Sequence, residues 1–167
     1  MEKVIFYVLK SDQIDERHQF VCRFVEKMRL IGNTVFIATI DEKHSRELDE
    51  LLWISPPESF MPHQIIDLPG VNTTNNDNQN PESTLSSEES SLKESVVICD
   101  KIGTENTPCE HDVYINLRPK PPTNHSKLNR LIEVVVKDND VLNSTRANYK
   151  FYQECGYPLQ SHPVQNL

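Results

Sequence analysis

With 167 residues, 37% of them hydrophobic and 25% charged, the chain has the apolar material for one packed domain. Its formal charge of −8 argues against wrapping long stretches of nucleic acid. No apolar run approaches the roughly 20 residues that span a bilayer, and the opening MEKVIFYVLK lacks the cationic lead and cleavage site of a secretion signal. Cys22, Cys99, Cys109 and Cys155 are scattered without a C-x-x-C pair, as expected of reduced thiols in a cytoplasmic protein.

KVIFYVL (3–9) is mostly apolar, which predicts a strand buried on both faces. Ile14, His18, Val21, Cys22, Val25 and Met28 then recur at helical spacing, and Gly32 is placed to end that helix. On such a face His18 reads as a hydrogen-bonded core histidine. TVFIAT (34–39) is the next strand. Asp41 opens a second helix, DEKHSRELDELLW, with Leu48, Leu51 and Leu52 on one face and a Glu42–Arg46 pair on the other. Asp49 and Glu50 read as solvated charge there. The β–α–β–α order implies right-handed crossovers and a mainly parallel sheet.

The helix must stop before Pro56. Pro56, Pro57 and Pro62 exclude a continuous helix, and no alternation makes the stretch a strand. Yet Trp53, Phe60 and Met61 fall in it. A rigid turn bearing large apolar side chains either plugs a corner of the core or stands ready for another protein. From the residues alone both readings are open.

Residues 70–95 are rich in Asn, Ser and Glu with little to bury, which predicts a disordered insertion loop between 1–69 and 96–167 of a single domain. Structure resumes with SVVICD (95–100), then a turn region, then DVYINL (112–117). KPPTNHSKLNR is a loop with a short helix after Pro122. RLIEVVV (130–136) is a further buried strand, and DVLNSTRANYKFYQEC (140–155) the last helix, closed by Gly156 and Pro158. The expected class is α/β: one three-layer domain on a mainly parallel sheet, Rossmann-like but without a phosphate-binding loop.

That missing loop bears on chemistry. A nucleotide site needs glycines in the turn after the first strand, so that backbone amides can approach phosphate. The turn here reads KSDQIDE. Cys109, Glu110 and His111 include too few ligands to close a zinc site, and no G-x-S-x-G elbow is present. No catalytic residue, metal or cofactor is expected.

Surfaces remain. All seven Lys and Arg residues of the segment 118–167 lie between Arg118 and Lys150, against four acids in the same segment. The last helix puts Leu142, Arg146, Tyr149, Lys150 and Gln153 on one face. Two cations, a ring and an apolar side chain suit an acidic peptide that ends in a bulky side chain and a free carboxylate. The competing reading is an ordinary solvated face with Tyr149 turned inward. Two further classes stay open: an α/β enzyme acting on a nucleotide or phosphate substrate, and a direct single-stranded DNA binder. The second has only Tyr149 and Tyr152 to stack on bases.

The block DEKHSRELDELLWISPPESFMPHQ resembles the signature of the chi subunit family of bacterial DNA polymerase III. The N-terminal FYVL, the EVV strand and the late R-x-x-Y-K-x-Y helix fit in the same order. The resemblance implies a small cytoplasmic α/β protein without enzymatic activity, acting as an accessory subunit in DNA replication. It implies binding to the psi subunit, which attaches chi to the clamp loader, and to the acidic C-terminal tail of single-stranded DNA-binding protein. The protein would be a monomer or a heterodimer with psi, with no sequence-specific nucleic acid contact. Carried over by position, Arg146, Tyr149 and Lys150, with Leu142, match the tail-binding helix, and Trp53, Phe60 and Pro62 match the psi-contacting segment. One departure concerns the cation the family often has two turns before the tyrosine, where this chain reads Leu142 and Asn143.

Overall fold

The computed structural model describes residues 2–54, 61–66, 95–101 and 110–164. The expected insertion at 70–95 lies almost wholly outside them. Among the described residues the strands are β1 (Lys3–Leu9), β2 (Val35–Ala38), β3 (Gln64–Ile65), β4 (Val96–Cys99), β5 (Val113–Asn116), β6 (Arg130–Val135) and β7 (Leu159–Val164). The helices are α1 (Ile14–Leu30), α2 (Glu42–Ile54) and α3 (Asn139–Glu154). The strands form one sheet in the order β3-β4-β2-β5-β6-β1-β7, and every pairing is parallel.

The apolar runs explain the layering. Successive strand residues point to opposite faces, so a strand covered on both sides must be apolar throughout. Ile5, Ile37, Ile98, Ile115 and Ile132 pack with Val21, Val25, Leu48 and Leu52 beneath α1 and α2. Phe6, Phe36, Tyr114 and Leu131 pack with Tyr152 beneath α3. The register sets one residue type in a row: Ile65, Ile98, Ile37, Ile115, Ile132 and Ile5 are paired neighbours across six strands. A slip by one residue would send that row to the other face, so the register is strongly specified.

The helix ends follow their side chains. Asp41 accepts a hydrogen bond from the His44 amide at 2.8 Å at the start of α2. Asp138 accepts from the amides of Asp140 and Val141 at the start of α3. Gly32 and Gly156, at φ 83° and 76°, close α1 and α3 in the left-handed conformation. There the Asn33 amide donates to the Met28 carbonyl and the Tyr157 amide to the Tyr152 carbonyl.

Two elements depart from the sequence reading. β7 forms after the last expected element, although LQSHPV carries little apolar signal. As an edge strand beside β1 it needs only one hydrogen-bonded side, which is why Pro163 is tolerated. β3 is a two-residue edge strand at the opposite margin.

The sheet's switch point lies between β1 and β6, whose crossovers leave over opposite faces through α1 and α3. Doubly wound sheets bind ligands there, outside the carboxyl ends of the strands. Here the Lys137 amide donates to the Ser11 carbonyl at 2.8 Å and draws the two turns together. No glycine lies in Lys10–Gln13, and Asp12 stands where a phosphate would need amides.

Candidate protein interfaces

α3 presents the first surface. Arg146, Lys150 and Gln153 are exposed. Lys150 lies 3.8 Å from Glu154 in a surface pair that contributes little. Tyr149 is 43% exposed, and its ring rests on Phe6 with centroids 5.3 Å apart. The ring is therefore anchored on one side and open on the other. Leu142 is half-buried against the α3-side core, so it leans inward and the open face is narrower than the helical spacing implied.

The second surface is at the far margin of the sheet, on the other face. Trp53 is 55% exposed at the end of α2, beside Ile54 at 71% and Ile65 at 39%. The Trp53 ring lies 4.9 Å from the His63 ring. His63 Nδ1–H donates to the Met61 carbonyl at 2.7 Å, and its Nε2 lies 3.0 Å from Asp49 Oδ1. Asp49 thus lies beside the buried His63 ring, where the sequence suggested plain solvated charge. Of the large side chains in and beside the proline-rich stretch, Met61, 1% exposed, plugs the core, while Trp53 stands out. Pro62 is exposed. Phe60 lies outside the described residues, as do Pro56, Pro57 and Cys109. Among the described residues no three His, Cys, Asp or Glu side chains are grouped to hold a metal.

Beneath α3 is a buried polar centre that the sequence reading did not single out. Glu133 on β6 is 2% exposed, and its Oε1 accepts from Asn116 Nδ2 at 2.9 Å, Asn148 Nδ2 at 3.3 Å and Tyr152 Oη at 2.9 Å. Burial pushes its carboxyl up to about 7, against the opposing pull of those donors and of Arg17. Asn116 Nδ2 also reaches the carbonyls of Arg118 and Lys120, at 3.3 and 3.2 Å, which ties the following proline loop to the sheet. The signal was present: Glu133 is the one acid inside the apolar run RLIEVVV.

His18 meets expectation as a core histidine. Its Nε2 lies 3.0 Å from His44 Nε2, joining α1 to α2. The Ile40 amide donates to His44 Nδ1, so the shared proton sits on His44 Nε2. Burial lowers both imidazoles, His44 to about 4; Arg17 repels both and His18 repels His44, and Asp15, Asp41 and Glu47 only partly relieve this. Folded-state values below 6.5 mean that the unfolded chain binds more protons, so stability is lost as pH falls from 6.5 toward 4. His44→Gln is expected to flatten that acid slope in urea titrations. An unchanged slope would remove the pair from the acid response.

Fold and surfaces together define a class: a parallel, Rossmann-like α/β domain without a glycine-rich phosphate turn, with exposed aromatic side chains at Trp53 and Tyr149. The chain belongs to the family described as DNA polymerase III chi subunit, HolC, whose model matches residues 1–160. It is 30% identical over 168 residues to the DNA polymerase III subunit chi of Pseudomonas aeruginosa, covering 100% of both chains. The Haemophilus influenzae subunit is 23% identical over 159 residues, 95% of each chain. The Escherichia coli subunit is 38% identical over 69 residues, 39% of this chain and 47% of that one. Among solved structures, the C-terminal domain of the DEAD-box protein Dbp5 aligns with TM-score 0.56 and 12% identity, over 97% of this chain and 91% of that one. A likeness of that kind concerns the fold alone.

Proposed function

We propose that this chain is a non-catalytic, cytoplasmic adaptor of the replisome, held by two protein partners at once. The psi subunit of DNA polymerase III docks at Trp53, with Phe60 and Pro62 completing the patch. The acidic C-terminal tail of single-stranded DNA-binding protein docks on α3. There Arg146 and Lys150 take carboxylates, and Tyr149, seated against Phe6, supplies an apolar wall with Leu142 further along the helix. The observation that carries this reading is the placement of an exposed, supported tryptophan, and of a helix face with two exposed cations and a half-exposed ring, at different margins of one sheet. Neither partner would then hinder the other. A side chain held in place before docking loses less entropy on binding, and the His63 ring, itself bonded to the Met61 carbonyl, gives Trp53 that support.

Trp53→Ala should keep the melting temperature within a few degrees while reducing psi co-purification by an amount corresponding to about 2 kcal/mol or more, as for a central aromatic anchor. A folded variant that retains psi in full would place the psi contact elsewhere.

A further inference from the structure

The carboxyl edge of the sheet carries an exposed isoleucine that neither proposed protein contact uses. Ile40, just past β2, is 51% exposed, and its amide donates to His44 Nδ1, which ties it to the start of α2. β2 and β5 are paired neighbours, so Arg118, just past β5, emerges close by. A hollow of about 370 Å³ lies there, lined mainly by Ile40, Tyr114, Arg118, Lys120 and the rings of Pro119 and Pro121. Among the described residues no Asp or Glu lines it, and α3 contributes nothing to it. Doubly wound sheets bind ligands outside the carboxyl ends of their strands, and this hollow has that position.

The walls are set before any ligand arrives. Asn116 Nδ2 donates to the carbonyls of Arg118 and Lys120, and the Arg118 amide donates back to Asn116 Oδ1 at 3.3 Å. Ring closure fixes φ at Pro119, Pro121 and Pro122. Arg118 is partly buried and Lys120 exposed, and among the described residues neither has an ion-pair partner. Two unpaired cations beside an apolar wall select an anion that carries a flat apolar group. The proline rings offer no amide hydrogen, and two of the loop carbonyls are already taken by Asn116, so a peptide backbone finds few partners there. A base needs only flat contact, and the Arg118 fork matches phosphate oxygens. The volume falls within the roughly 300–1,000 Å³ of small-molecule sites.

We infer that this hollow binds one nucleotide unit of single-stranded DNA, with the base against Ile40 and the proline rings and the phosphate on Arg118 and Lys120. A strand is the source at hand for a member of a DNA polymerase III subunit family. Two cations hold one or two phosphates and not a long track, in keeping with the formal charge of −8. The site is separate from both proposed protein contacts, and its test does not depend on them.

The full chain is titrated at low salt against a fluorescein-labelled thymidine tetranucleotide, read by anisotropy, with unlabelled dTMP, inorganic phosphate or an acidic peptide as competitor. The tetranucleotide should bind, and dTMP should displace it at concentrations where phosphate does not. Arg118→Ala should weaken binding about tenfold or more, the scale of one charge-assisted contact. Ile40→Asp replaces the apolar seat by a charge that repels phosphate and should abolish binding; the position is half-exposed, so the melting temperature should hold. Lys127→Ala removes an exposed cation outside the hollow and should stay within about twofold. Equal losses from Arg118→Ala and Lys127→Ala would mean diffuse attraction and refute the hollow. Phosphate displacing as well as dTMP would refute the base seat. An acidic peptide that displaces the strand and loses its own binding in Ile40→Asp would assign the hollow to a peptide. No binding of the tetranucleotide at low salt would overturn the inference outright.

Discussion

Glu133→Gln is expected to stabilise the protein at pH 8 and to turn its flat response between pH 5 and 7 into a rise of stability with pH. Burial lifts the Glu133 carboxyl from the ordinary 4.5 to about 7 in the folded chain. For an acid shifted upward, the folded state holds the proton longer than the unfolded one. Stability is therefore present below pH 4.5, declines as pH rises, and is fully lost above about 7. A gap of that size corresponds to about 3 kcal/mol. Gln keeps the oxygen that accepts from Asn116, Asn148 and Tyr152 and carries no charge. Its own amide hydrogens, where poorly met, offset part of the benefit, leaving a gain of about 1–2 kcal/mol at pH 8. The His18–His44 pair acts in the opposite direction over nearly the same range, losing stability as pH falls. The unaltered chain should accordingly show a flattened profile, and Glu133→Gln should unmask a rise of stability with pH. Urea titrations at pH 5 and pH 8 decide the matter; a variant equally less stable at both would mean that the carboxylate is not the source of strain.

The Arg146→Ala, Lys150→Ala double variant should bind an acidic C-terminal peptide about a hundredfold or more weaker at low salt, because each charge-assisted contact contributes about 1.5–3 kcal/mol. The two positions are neighbours one turn apart, so their effects will fall short of simple addition. Both side chains are exposed, and the loss should shrink as ionic strength rises and screens the contacts. Neither residue packs in the core, so the melting temperature should stay close to that of the parent. Unchanged peptide affinity at low salt would move the tail site off α3.

Residue by residue, legibility tracked burial. The strands at 3–9, 35–38, 96–99, 113–116 and 130–135 could be read because a strand covered on both faces must be apolar at every position. The ends of α2 and α3 were visible in Asp41, Gly156 and Pro158, since caps are local chemistry. β7 was not legible: its order comes from the β1 edge, to which its own side chains hardly testify. The exposure of Trp53 was not decidable either, because a large ring beside three prolines fits a plug as well as a patch. Glu133 carried a legible warning as an acid in an apolar run, but its partners come from β5 and α3, 15 to 19 residues away.

The sequence by itself determined the α/β class, the absence of a phosphate-cradling turn, the family, and which helix carries the paired cations. These rest on periodicity, glycine placement and contiguous motifs, all set by neighbours along the chain. Tertiary structure alone decided that Met61 goes in while Trp53 stays out, and that Leu142 leans on the core. It also decided that Asn116, Glu133, Asn148 and Tyr152 meet in one buried centre holding the proline loop against α3. Those outcomes depend on which distant surfaces compete for the same space, and that competition arises only when the sheet has brought them together.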